Sequence, residues 1–72
     1  MEQKEKTPLS KLLEDRGIKQ RWLARQIGMP ETSLSFIVQG KRIPTLPVAM
    51  RIARVLGVTV EELWGHIVDD EG

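Results

Sequence analysis

The sequence predicts an all-α fold: five short helices packed into one compact domain. Three observations lead there. Apolar residues recur at spacings of three and four, the repeat of a single helix face. Glycines at 17, 28, 40 and 57 close these runs in turn. Strand signals are missing: Ile67-Val68 is too short, and the β-branched residues elsewhere sit on helical faces. Short connections force packing at steep angles rather than a long parallel bundle.

Each element has its own punctuation. Thr7-Pro8 reads as a hydroxyl cap followed by proline at the first helical position. Helix 1 then runs from Pro8 to Arg16 with Leu9, Leu12 and Leu13 on its apolar side. A second helix spans Lys19 to Ile27, carrying Leu23, Ala24 and Ile27. The third starts at Pro30 or Glu31 and ends at Val38, with Leu34, Ile37 and Val38 apolar. Lys41-Arg42-Ile43-Pro44 is a loop. Thr45 caps helix 4, which carries Leu46, Val48, Ala49, Ile52, Ala53, Val55 and Leu56. Thr59-Val60-Glu61-Glu62 fits a capping box that opens helix 5 through Leu63 and Trp64.

Length and composition set the limits. With 72 residues there is room for one domain, which hides about 60% of the surface its unfolded chain exposes. The expected layout is a flexible arm over 1–7, a domain over 8–66 and an acidic tail over 67–72. There is no cysteine and one histidine, His66, which removes disulfides, thiol nucleophiles and multi-histidine metal sites. No metal and no cofactor is expected, since glycine patterns for nucleotide binding are also missing. Adjacent carboxylates are explained by helix caps and solubility, so no nucleophile–base pair suggests an enzyme. No apolar run approaches a membrane span, and the polar N-terminus lacks the core of a signal peptide. The expected location is the cytoplasm.

Net charge is +1, but the charges are segregated. Arg16 to Arg54 holds eight bases (Arg16, Lys19, Arg21, Arg25, Lys41, Arg42, Arg51, Arg54) and one acid, Glu31, or +7. Val55 to Gly72 holds five acids and no base, or −5. A basic middle beside an acidic end suits a nucleic-acid binder, although small domains also carry solvated charge for solubility alone.

The stretch from Gln20 to Gln39 is the most informative. It is a helix, a tight turn around Gly28, and a second helix. Ala24 is small where the two helices must cross closely. Gly28 can take positive φ without steric penalty. Leu23, Ile27, Leu34 and Ile37 close the angle with apolar contacts, which leaves the far side of the second helix free for a partner. Such a helix-turn-helix can place its second helix in the major groove of DNA.

On these residues the chain resembles the phage repressor and Cro-like (XRE) helix-turn-helix family. The resemblance covers Leu9 to Trp64. It is carried by Gly17-Ile18-Lys19-Gln20, Leu23-Ala24, Ile27-Gly28, Gln39-Gly40-Lys41-Arg42-Ile43-Pro44-Thr45-Leu46 and Leu56-Gly57-Val58-Thr59-Val60-Glu61-Glu62-Leu63. It implies a lambda-repressor-like five-helix domain and a sequence-specific regulator of transcription. It also implies a homodimer on palindromic double-stranded DNA in a prokaryotic nucleoid.

Position by position, the resemblance assigns roles. Gln20 would touch a phosphate and buttress the next helix, or reach a base. Glu31, Thr32, Ser35 and Phe36 would face base edges. Ser33 and Gln39, with the backbone near Gly40-Lys41, would grip phosphates. Chemistry adds that Thr32 and Ser35 can hydrogen-bond several bases, and that Thr32 or Phe36 can lie against a thymine methyl. Glu31 can accept from a cytosine amino group, or simply stabilise a helix N-terminus. Lys19, Arg21, Lys41 and Arg42 would supply the non-specific grip, because phosphate contacts dominate affinity, the alternative for Arg21, Lys41 and Arg42 being plain solvated surface.

The chain also departs from the family pattern. Phe36 stands where a polar or basic residue is common, and Pro30 where a Ser or Thr cap is common. Leu13 and Val38 replace an arginine–glutamate pair, so they should touch or share a neighbour. Trp64 reads as a core anchor. Trp22 either covers the rim of helix 1 or marks a protein contact. His66 reads as a surface residue. Ile67 and Val68 either support a dimer or cover Trp64. The competing function is an antitoxin-like or adaptor protein whose main partner is another protein, met through Trp22, Phe36 or the acidic tail.

Overall fold

The computed structural model describes residues 6–65. In order, α1 (Pro8–Arg16), α2 (Gln20–Ile27), α3 (Glu31–Val38), α4 (Leu46–Leu56) and α5 (Val60–Trp64) follow one another along the described residues, with no strand among them. The expected elements are all present. Lys19 is the one boundary that moves: its backbone is extended, so it precedes α2 as the N-cap.

Two of the three expected threonine caps form. Thr7 Oγ1 accepts from the Ser10 amide at 3.0 Å. At α5, Thr59 Oγ1 accepts from the Glu62 amide at 3.1 Å, and the Glu62 carboxylate accepts from the Thr59 amide at 3.2 Å. Thr45 holds the N-cap position of α4, but its side chain makes no capping bond. Pro47 stands at the second position of α4, where it removes one of the two amides such a hydroxyl can bond; in α1 the proline is at the first position and removes neither.

The core is apolar throughout. Leu9, Leu23, Leu34 and Ile52 are fully excluded from water, and no polar or charged side chain is buried among the described residues. α2 packs against α3 and α4, while α5 packs against α1 and α4. Leu13 and Val38 are both buried in this one cluster. Trp64 is buried with them. Leu46 and Val55 are not part of it: Leu46, the first residue of α4, is 65% exposed.

Two tertiary hydrogen bonds lock helix ends. Thr7 Oγ1 donates to the Val38 carbonyl at 2.7 Å, joining the start of α1 to the end of α3. Arg16 Nη1 donates to the Leu56 carbonyl at 2.6 Å, placing a cation at the C-terminus of α4, where the helix dipole favours it. No helix among the described residues is long and apolar enough to cross a membrane. Most of the expected arm, the acidic tail, His66, Ile67 and Val68 lie outside the described residues.

Candidate nucleic-acid interface

The geometry of the site begins at the turn between α2 and α3. Gly28 has φ of +74°, and its amide and that of Met29 bond back to Arg25 and Ala24 carbonyls at 3.3 and 3.1 Å. This closes α2 within three residues of Glu31. Ala24 is buried at the junction, so α3 leaves the turn close against α2.

α3 then divides into two faces. Leu34, Ile37 and Val38 enter the core. Thr32, Ser35, Phe36 and Gln39, spaced i, i+3, i+4 and i+7, form the opposite stripe. Thr32, Phe36 and Gln39 are exposed and Ser35 half-buried. At 3.6 residues per turn, Glu31 and Ser33 fall on opposite flanks of that stripe. Gln20 is half-buried at the first position of α2. Lys19, Arg21, Lys41 and Arg42 are all exposed.

Several of these side chains hold one another. Gln39 Nε2 donates to Ser35 Oγ at 2.7 Å. Arg42 lies over the Phe36 ring, its guanidinium carbon 5.7 Å from the ring centroid, within the range of a cation–π contact. Arg21 Nε is 3.9 Å from Glu31 Oε1, with both groups largely exposed. That pair is loose and contributes little. It does draw Glu31, at the first turn of α3, toward a cation rather than leaving it alone at the stripe.

The backbone near Gly40-Lys41 departs from the expected role. The Gly40 amide bonds the Ile37 carbonyl at 3.1 Å, and the Lys41 and Arg42 amides both bond the Phe36 carbonyl, at 2.9 and 3.2 Å. These donors close the end of α3 and are not free for a phosphate. The N-termini of α2 and α3 are different: Lys19 and Pro30 provide no side-chain cap, so the first amides of both helices keep their donors.

Trp22 is 47% exposed and lines a shallow groove with Gly17, Ile18 and Lys19. No cluster of His, Cys, Asp and Glu among the described residues could hold a metal ion. Sequence reasoning missed Arg16 as a cap, the second bond of Thr7, and the placement of Arg42 over Phe36. All three depend on residues that packing, not local pattern, brings together.

Comparison with known proteins agrees with this architecture. Residues 9–63 match the family model described as helix-turn-helix. The chain is similar to an uncharacterized HTH-type transcriptional regulator of Archaeoglobus fulgidus, 38% identical over 55 residues, or 76% of each chain.

Proposed function

Because this chain belongs to the Cro/C1-type helix-turn-helix family of DNA-binding transcriptional regulators, we propose that it reads specific duplex sequences by laying α3 in the major groove. The observation that supports this reading is the outward stripe of Thr32, Ser35, Phe36 and Gln39, opposite the buried face, with Arg42 over Phe36 and Arg21 near Glu31. Thr32 and Ser35 offer hydroxyls to base edges, and Phe36 offers an apolar edge to a thymine methyl. Lys19, Arg21, Lys41 and Arg42 grip phosphates, with Gln20, Ser33 and Gln39 at the margins. The uncapped start of α2, between Lys19 and Arg21, is a natural phosphate contact.

The protein acts as a dimer on a palindromic operator. Two recognition helices then sit one helical turn apart, roughly 34–36 Å, in successive major grooves. Occupancy blocks or recruits polymerase at the nucleoid, in the cytoplasm. The exposed Trp22 supports a second reading, in which another protein docks beside Gly17 and Ile18. Loss of duplex binding on adding such a partner, abolished by Trp22→Ala, would favour it.

Selection of bound sites from random duplexes tests the main reading. Arg42→Ala weakens binding to all sequences alike and lowers the salt slope by about one. Thr32→Ala changes preference at one position. Equal effects of both changes on every sequence would contradict the division between grip and readout.

A further inference from the structure

We infer that Phe36 is a positioning residue for Arg42, so that one exposed aromatic ring couples backbone grip to base reading at the C-terminal end of α3. The inference rests on the reading of α3 as the DNA-facing helix.

Phe36 is 44% exposed, so burial does not account for a ring at this place. Its neighbour does. The Arg42 guanidinium sits 5.7 Å from the ring centroid. The main chain holds the two residues in register, since the Lys41 and Arg42 amides both donate to the Phe36 carbonyl. The reversal that permits this passes through Gly40, at φ +82°. A Cβ on Gly40 would come within 2.9 Å of Thr7 Cγ2, and Thr7 is itself bonded to Val38. The loop is therefore braced against α1, and Arg42 leaves it from a defined point.

A free arginine side chain samples many rotamers and loses that freedom when it binds. Held over the ring at 5.7 Å, Arg42 has lost part of it beforehand. A guanidinium held over a ring still has N–H groups to offer, the fork that matches phosphate oxygens. The part of the ring not covered by Arg42 remains open to a thymine methyl. Phe36 thus acts on backbone affinity through Arg42 and on base preference directly.

The test uses the full chain, a selected duplex and an unrelated duplex, titrated at several salt concentrations. Phe36→Leu keeps an apolar group and removes the aromatic face. It should weaken binding to the unrelated duplex roughly two- to five-fold and move the salt slope toward that of Arg42→Ala. Phe36→Tyr, which keeps the ring, should retain the wild-type slope. In the Arg42→Ala background, Phe36→Leu should have almost no further effect on the unrelated duplex, yet persist in the Lys41→Ala background. Thermal unfolding of Phe36→Leu should match wild type, because the ring is not a core residue. The same fold-loss in both the wild-type and Arg42→Ala backgrounds, or an unchanged salt slope in Phe36→Leu, would overturn the inference. A wild-type chain that binds neither duplex at any salt would instead overturn the reading of α3 itself.

Discussion

On the inner face of α3, Leu34 is fully excluded from water and Ile37 and Val38 nearly so; on the outer face, Thr32 and Phe36 stand open to it. The eight residues of the helix therefore answer to two sets of rules. Inner positions are held by close packing from α2 and the rest of the core, where even one methylene is felt. Outer positions are held by light contacts with one another: Gln39 on Ser35, Arg42 on Phe36, Arg21 near Glu31. The contrast shows how a small domain can keep its fold and its specificity separate. Stability is stored on the buried face, and the outer face is ordered by contacts among its own side chains without being buried.

The largest expected effect breaks the inner face. Leu34→Ala leaves a cavity at the α2–α3 junction and should destabilise the domain by about 2–5 kcal/mol in urea unfolding. Affinity per folded molecule should hardly change. A mild loss would mean that the inner face is not the structural one. Next comes the latch between α1 and the end of α3. Thr7→Val removes the α1 cap and the bond to the Val38 carbonyl, and should cost about 1–2 kcal/mol. If unfolding midpoints are unchanged, Thr7 does not brace the end of α3. The smallest effect lies on the outer face. Glu31→Gln removes a charge that repels phosphate, so non-specific binding should rise about two-fold. Stability should fall by about 0.3–1 kcal/mol as the helix N-terminus loses its anion. A change of preference confined to one base pair would instead assign Glu31 to cytosine.

Much of this arrangement was legible in the residue order. Leu34 and Ile37 marked the inner face by spacing alone, and Thr59 with Glu62 announced a capping box that forms. Gly28 marked the turn because few other residues take its positive φ. Legibility failed where local signals had no counterpart in packing. Thr45 stands in the right place for a side-chain cap and makes none, and Leu46 continues an apolar pattern yet faces solvent. The amides near Gly40 looked available for phosphate and are spent closing α3.

By itself, the sequence determined the five helices, their stops, the central core residues and the side of α3 that is left over. These follow from interactions within about four residues, or from apolar periodicity, and both are written along the chain. Tertiary structure alone decided that Thr7 reaches Val38, 31 residues away, and that Arg16 caps Leu56, 40 residues away. It also decided that the Arg42 guanidinium lies over the Phe36 ring. Such contacts need the packed core to exist first, since only the core sets which helix ends and loops come within reach of a side chain.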